Sequence, residues 1–326
     1  MKAIQISHTG GPEVLEFCEV PTPTAGPGQA LIRIEACGVN FIDTYLREGR
    51  YPAKLPFIPG QEASGTVVAI GPDTAGSTVK VGDRVAWVHI LGTYAQFAVA
   101  PVTRLVAIPD GISNQQAAAA LLQGMTAHYL AYSTYAIQPG DTVLIHAGAG
   151  GVGLLLIQIA KRLGARILTT VSTEEKAALA HAAGADETIL YTTEDFVARV
   201  RELTGGKGLP VVYDSVGKTT FEGSLGCLKP RGLMALFGGS SGAVPPFDLI
   251  KLSTMGSLYL TRPTMKDYIA TREDLDQRAG DIFRWVLEGT LKLRLEHTYP
   301  LAEAAQAQRD LEARKTTGKV LLIPPQ

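Results

Sequence analysis

Cysteine is scarce in this chain: its 326 residues hold only Cys18, Cys37 and Cys227. Three scattered thiols without a Cys-x-x-Cys pair exclude a disulfide framework and a zinc finger, and small buried hydrophobes is the expected role for all three. An excess of charge of one sign is missing too. Lys and Arg total 30 against 31 Asp and Glu, so no basic surplus exists to grip a phosphate backbone, and nucleic acid is not expected as a partner. Long apolar runs are absent, which rules out a membrane-spanning helix, and the opening MKAIQISHTGGPEVLEF lacks the apolar core of a signal peptide. A soluble, cytoplasmic protein is expected. The histidines His8, His89, His128, His146, His181 and His297 are scattered, and none forms an H-x-x-x-H or His-Glu pair, so they suggest no metal site. Ser240-Ser241 lies outside any G-x-S-x-G elbow, which argues against a hydrolase nucleophile.

What is present is an ordinary globular balance, 46% hydrophobic and 19% charged residues, in a chain long enough for two domains. From residue 1 to about 120, short β-rich runs such as ALIRIEACGV, SGTVVAIG and DRVAWVHI are broken by Gly and Pro, which predicts an all-β module. After residue 114 the pattern changes to an Ala-rich helix and then to strand and helix in alternation: TVLIHAG, GVGLLLIQIAKRLG, RILTTV, EEKAALAHAAG, ETILY. Such alternation implies βαβ units and a parallel sheet. Further strands are expected at LPVVYDS, LMALFGG and SLYLTRP, an amphipathic helix at EDLDQRAGDIFRWVLEG, and strands again around LRLEHTYPL and VLLIP. The expected fold is α/β: a doubly wound parallel-sheet (Rossmann) domain over 122–263, inserted into a β-rich domain made from 1–121 plus 264–326.

The segment from His146 to Gly153 follows the strand TVLIH and opens the helix LLLIQIAK, the context that gives G-x-G-x-x-G its meaning. Gly148, Gly150 and Gly153 would allow a tight turn, close approach of backbone to a pyrophosphate, and close packing of helix on strand. The phosphates would lie at the positive end of the helix. About 20 residues on, where NAD enzymes commonly place an acidic residue for the ribose, stand Ser172 and Thr173. A short hydroxyl leaves room for a 2′-phosphate and Lys176 can supply the matching charge, so NADPH is expected over NADH. Glu174 and Glu175 could instead be an acidic ribose partner; first-turn charges on the next helix is the preferred reading.

The chain resembles the zinc-independent quinone oxidoreductases of the medium-chain dehydrogenase/reductase family, related to zeta-crystallin. The resemblance runs nearly full length and is carried by HTGGPEVLEF, GVNFIDTYLREGRYP, PGQEASGTVVAIG with GDRV, AGAGGVG with Gln158 and Lys161 after it, VVYDSVG, FGGSSGA and GSLYLTRP. Gly148 departs from it, since that subfamily usually has Ala or Ser there. The resemblance implies a GroES-like character for the β-rich domain. In the zinc alcohol dehydrogenases of the same family a Cys, a His-Glu pair and a second Cys hold the catalytic metal; here Asn40, Gln61-Glu62 and the stretch near Leu122-Gln123 stand in those places, and the Cys-rich structural lobe is missing. Amides are poor zinc ligands, so no metal is expected.

Carried over residue by residue, the resemblance places Asn40, Asp43, Tyr45 and Thr126 at the nicotinamide end and Gly151 and Val152 on the pyrophosphate. Ser172, Lys176, Tyr191 and Arg314 fall at the adenosine phosphate, and Ser215, Phe237, Gly238, Leu260 and Arg262 along the rest of the cofactor. Lys176 and Arg314 come from different domains, which NADPH could draw together. Hydride transfer to a quinone asks for a planar acceptor near the nicotinamide, a dry cleft and donors for the developing oxyanion. Asn40, Tyr51 and Gln61 are the candidate donors. Equally open are a packing role for Tyr51 before Pro52 and a role for Gln61 in satisfying buried backbone. Reduction of quinones with NADPH is the leading expectation; reduction of activated alkenes or enones is the alternative within enzymes, and a non-catalytic NADPH- or RNA-binding protein the alternative outside them. Relatives are often dimers that pair sheet edges near SLYLTRP, and a homodimer is expected.

Overall fold

A computed structural model describes all residues, 1–326. It separates into two compact units, Met1–Met125 with Ile269–Gln326, and Thr126–Tyr268. The chain starts in the first unit, with an antiparallel pair of strands, β1 (Lys2–Gln5) and β2 (Glu16–Glu19). There follow β3 (Gln29–Val39), α1 (Phe41–Arg47), β4 (Glu62–Ile70), β5 (Arg84–Val88), β6 (Phe97–Pro101), β7 (Val106–Ala107) and α2 (Asn114–Tyr129). Helix α1 corrects the expectation of an all-β start. Its cause is local: Asp43 in the first turn accepts a hydrogen bond from the Asn40 backbone N–H at 2.9 Å, satisfying a donor at the helix entrance.

The second unit alternates strand and helix: β8 (Thr142–Ile145), α3 (Gly151–Arg162), β9 (Arg166–Val171), α4 (Glu174–Ala183), β10 (Glu187–Leu190), α5 (Phe196–Leu203), β11 (Leu209–Asp214), α6 (Phe221–Gly226), β12 (Leu228–Leu236), α7 (Ile250–Thr254), β13 (Tyr259–Thr261) and α8 (Met265–Tyr268). All six strands are parallel, in the order β10-β9-β8-β11-β12-β13. The order reverses at β8, and in open sheets of this kind ligands bind beyond the carboxyl ends of the strands at that switch. Leu144, Leu168, Ile189, Val212, Phe221 and Met234 form the core under it, each nearly or fully buried. Burial of one such side chain stabilises by about 1.5–3 kcal/mol.

Returning to the first unit, the chain adds α9 (Arg272–Leu287), β14 (His297–Pro300), α10 (Ala304–Glu312) and β15 (Val320–Ile323). They complete a seven-stranded sheet, β14-β15-β3-β4-β5-β7 with β6 also on β3. The strand expected around LRLEHTYPL shrinks to its second half, because Leu293 and Leu295 pack on a small cluster with Ala36, Ala118 and Ala119 instead of joining the ladder. The long β3 holds three partners, pairing β6 over Gln29–Arg33, β4 over Ala30–Cys37 and β15 at Cys37–Val39. That last pairing sets Lys319, just before β15, beside the end of β3.

Candidate functional site

In the first unit the end of β3, the start of β4 and the approach to β15 bring a buried charged cluster together. Lys319 is 2% exposed and Glu62 is fully buried. The Lys319 ammonium donates to a Glu62 carboxylate oxygen and, at 2.9 Å, to Asn40 Oδ1. Asn40 Nδ2 donates to the same Glu62 oxygen at 3.0 Å and to Gly38 O at 3.4 Å, while Gln123 Nε2 approaches Asn40 Oδ1 at 3.4 Å. The other Glu62 oxygen accepts the Leu122 N–H at 2.6 Å. Every polar atom of the cluster is engaged, which is the condition under which a buried ion pair is tolerable. Gly38 makes room for it, since a Cβ there would lie 2.2 Å from Glu62 Oε2 and 2.7 Å from Lys319 Nζ.

Asp43 lies beside this cluster, fully buried, with one oxygen accepting from Asn40 N and from the Tyr94 hydroxyl, each at 2.9 Å. Its other oxygen has no partner. Burial pushes its carboxyl up to about 7, against the opposing pull of the Asn40 N–H, the Tyr94 hydroxyl and the Lys319 charge. Burial and Asp43 also push the Tyr94 hydroxyl well above its usual range. Tyr45 is buried and meets the ring of Tyr51 edge-on at 5.6 Å, with the Arg50 guanidinium 5.0 Å from its ring centre. Tyr51 itself is partly exposed. The Gln61 side chain is buried but forms no hydrogen bond within the protein; only its backbone carbonyl is used, by His89 N–H at 2.8 Å. The reading in which the Gln61 amide satisfies buried backbone is therefore withdrawn.

The glycine-rich turn of the second unit shows why each glycine is there. A Cβ on Gly148 would lie 2.2 Å from Thr169 Oγ1 and one on Gly153 would lie 2.3 Å from Ala147 O, so both are demanded by the packing of the turn itself. Gly150 is different. Its Cβ would meet only Ala147 O, at 3.2 Å, a tight contact that asks for a small shift where the other two would clash outright. Gly150 also caps α3 without offering any side chain, which leaves the N–H groups of the first turn, at Gly151 and Val152, facing outward for an anion. The glycines thus fit a dinucleotide pyrophosphate.

The other residues expected at a cofactor in this unit follow the carboxyl ends of the parallel strands. Ser172 follows β9, Tyr191 follows β10, Ser215 follows β11, Phe237 and Gly238 follow β12, and Leu260 and Arg262 belong to β13 and its exit. Gly238 approaches so closely that a Cβ would lie 2.4 Å from Ser215 O, and Arg262 donates to Leu236 O at 2.9 Å. Thr173 caps α4 by accepting from Lys176 N–H at 3.3 Å, which puts Glu174 and Glu175 in the first turn of that helix, exposed. Thr126 is a buried residue of α2, and Arg314, in the first unit, is exposed beyond the end of α10.

Residues 151–281 match the zinc-binding dehydrogenase family and residues 26–110 the alcohol dehydrogenase GroES-like domain. The chain is 48% identical over 325 residues to a quinone oxidoreductase of Pseudomonas aeruginosa, covering 99% of both chains. The chain belongs to the zinc-independent quinone oxidoreductases of the medium-chain dehydrogenase/reductase family. A 2-haloacrylate reductase of a Burkholderia species is 42% identical over 330 residues, covering 99% of this chain and 98% of its own. The crystal structure of an Escherichia coli quinone oxidoreductase complexed with NADPH superposes with a TM-score of 0.97 at 44% identity, over 99% of this chain and 100% of that one. The family match confirms the α/β architecture with its Rossmann and GroES-like parts.

Although one of the matched family descriptions carries zinc in its name, no group of three or more His, Cys, Asp or Glu side chains is gathered here so as to hold a metal ion. Where the zinc enzymes of this family place ligands, this member has Asn40 and Glu62 bound to Lys319, and Gln61 beside them. Sequence reasoning named Asn40 and Gln61 as candidates and did not name Lys319 or Tyr94, which the fold sets beside Asn40 and Asp43. The one available hint was Glu62, an acidic residue opening the largely apolar strand EASGTVVAI, where a cationic partner is to be expected.

Proposed function

We propose that this enzyme reduces quinones with NADPH by hydride transfer without a metal. The observation that carries the reading is the Asn40–Glu62–Lys319 cluster: Asn40 and Glu62, which the resemblance sets at zinc-ligand positions of alcohol-oxidising relatives, are both held by the Lys319 ammonium, and Gln61 beside them is an amide. An alcohol would need a Lewis acid to hold its alkoxide, whereas a quinone accepts hydride readily. Bound NADPH supplies the hydride. The turn at Gly148, Gly150, Gly151, Val152 and Gly153 holds the pyrophosphate; Ser172, Lys176, Tyr191 and Arg314 hold the adenosine phosphate; Ser215, Phe237, Gly238, Leu260 and Arg262 line the rest, with Asn40, Asp43, Tyr45 and Thr126 at the nicotinamide. Of the three candidate donors, Gln61 has an amide that the protein leaves unused, and it is assigned to the developing oxyanion; Tyr51 orients the acceptor, and Asn40, fully engaged, fixes the wall.

The 2-haloacrylate reductase among the relatives supports a second reading, hydride transfer to an activated alkene. Purified, EDTA-treated protein assayed for NADPH oxidation against quinones and enones, with NADH in parallel, separates the two. Fast turnover of quinones with NADPH ahead of NADH is expected. Turnover of enones alone would move the assignment to the second reading, and tight NADPH binding without turnover would leave a binding protein.

The same reading includes a cytoplasmic homodimer joined at the edge of the parallel sheet. No helix is long and apolar enough to cross a membrane. The edge strand β13 carries Tyr259 at 57% exposure, and Leu249 just before the preceding helix and Ile250 at its start are 70% and 67% exposed. Apolar side chains at an unpaired edge favour pairing with a second copy. Light scattering at micromolar protein should give twice the mass of 34.6 kDa.

A further inference from the structure

His146 directly follows the strand β8 and is 1% exposed, just before the glycine-rich turn. Its Nδ1 lies 2.9 Å from Thr170 Oγ1 and its Nε2 lies 3.0 Å from Ser224 Oγ. Proton counting fixes the direction of each bond. The Asp214 side chain donates nothing and accepts from Val216 N at 2.8 Å, Gly217 N at 3.0 Å, Thr220 Oγ1 at 2.7 Å and Ser224 Oγ at 2.8 Å. Ser224 has one proton, and it goes to Asp214, so Ser224 must accept from His146. His146 is then protonated on Nε2 and bare on Nδ1, where it accepts the Thr170 hydroxyl proton. Thr170 Oγ1 in turn accepts the Ala147 N–H at 3.3 Å.

The result is a single directed chain, from Ala147 through Thr170, His146 and Ser224 to Asp214. At one end it catches a residue under strain: Ala147 has φ of 57°, a left-handed conformation that alanine rarely adopts, and the glycine-rich turn hangs from it through the Gly150 N–H bond to Ala147 O at 2.9 Å. At the other end it holds the turn Ser215–Gly217 after β11. We propose that neutral His146 is a positioning residue for the dinucleotide, joining the glycine-rich turn to the turn after β11, and that a proton on Nδ1 uncouples them. This rests on the reading of the glycine-rich turn as the cofactor site.

A second ring proton would face Thr170 Oγ1 and leave that hydroxyl hydrogen without its acceptor. The groups around the ring are few. β9 presents Thr170, α6 presents Ser224, α5 sets the ring of Phe196 edge-on at 5.0 Å, and β11 contributes the one charged group, Asp214, behind Ser224. Burial pulls the imidazole below its ordinary value, with Asp214 opposing. The neutral form is therefore the one present at neutral pH.

The test measures NADPH affinity by quenching of protein fluorescence from pH 5 to 8, with thermal unfolding alongside, for wild type, His146→Phe, His146→Gln, Thr170→Val and Ser224→Ala. His146→Phe removes both bonds and should weaken NADPH about tenfold at pH 7.5, raising KM for NADPH while kcat stays within about twofold. His146→Gln, which can donate to Ser224 and accept from Thr170, should restore most of the affinity. Wild-type affinity should fall only at a pH below the ordinary imidazole value, towards the acid end of the range, and the fall should vanish in His146→Gln. Should His146→Phe fail to fold, Thr170→Val and Ser224→Ala decide by the same loss of affinity. Tight wild-type binding that is unchanged in all the variants, or a pH dependence that persists in His146→Gln, overturns the proposal alone. No NADPH binding by wild type overturns the cofactor reading and the proposal together.

Discussion

Glu62 and Asp43 are both fully buried carboxyl side chains of the first unit, and both meet Asn40, yet they solve burial in opposite ways. Glu62 has an ammonium against it, and each of its oxygens is held by a donor. Asp43 has two neutral donors on one oxygen and nothing on the other, and its proton affinity rises to a carboxyl value of about 7. Depth below the surface is the same for the two groups. What differs is whether an ammonium sits against the carboxyl, and without one Asp43 is left to titrate near neutrality.

The largest effect should come from turning the Glu62 site into a second Asp43 site. Lys319→Met removes the cation and leaves an uncompensated buried carboxylate, and breaking a buried pair from one side costs about 3–5 kcal/mol. Urea unfolding at pH 7.5 should show that loss. Adding Glu62→Gln to Lys319→Met should recover a good part of it, because the remaining partner no longer carries charge. A double variant no more stable than Lys319→Met would show that packing around the lysine stem, and not the lost charge pair, is what the single variant reports.

Next in size is the pH dependence that Asp43 alone should impose. Its carboxyl moves from an ordinary 3.8 to about 7 on folding. Below about pH 4 both states hold the proton. Between there and about 7 the folded state keeps a proton that the unfolded state has released, so stability declines as pH rises; above about 7 both are ionised and the decline is complete. The total is on the order of 4 kcal/mol. Asp43→Asn should flatten the profile over that window, measured by urea unfolding at intervals from pH 4.5 to 8. His146 acts in the other direction, since a group kept neutral by burial costs stability as pH falls below about 6.5, so the two slopes are separable only in the single variants.

The same contrast explains what was legible beforehand. The glycine-rich turn is built by residues within one short segment, and the strand before it and helix after it are equally local, so its sequence pattern sufficed. The parallel sheet followed from alternation as well. The Glu62 cluster joins Asn40 and Glu62 to Lys319, 279 and 257 residues away along the chain, through a pairing of β15 with β3 that no local pattern announces. Helix α1 was hidden for a different reason: its start signal is an Asn-x-x-Asp cap within a stretch whose apolar residues also suit strands. The proton chain at His146 lay in between. The histidine was conspicuous beside the turn, but Thr170, Ser224 and Asp214 come from three separate elements, and their roles required the parallel register.

Gln61 sharpens the comparison from outside, as the neighbour that belongs to neither carboxyl. Gln61→Leu leaves the ion pair and Asp43 intact, so unfolding should change by less than about 1 kcal/mol. If the amide serves the reacting oxygen, kcat/KM for quinone should fall about tenfold, mostly in kcat, since the bond strengthens as negative charge develops. A fall confined to KM would instead make Gln61 a binding contact.

The smallest effect separates buried from exposed charge. Lys176 stands in the first turn of α4, only partly covered, where solvent and ions reach it. Lys176→Ala should raise KM for NADPH by about fivefold at low salt, leave KM for NADH nearly unchanged, and lose most of this difference in high salt, because exposed charges are screened over a Debye length of about 10 Å at 0.1 M. The destabilisation from Lys319→Met should be far less sensitive to salt, since no ions enter its surroundings. Equal losses for NADPH and NADH in Lys176→Ala would place the lysine away from the 2′-phosphate.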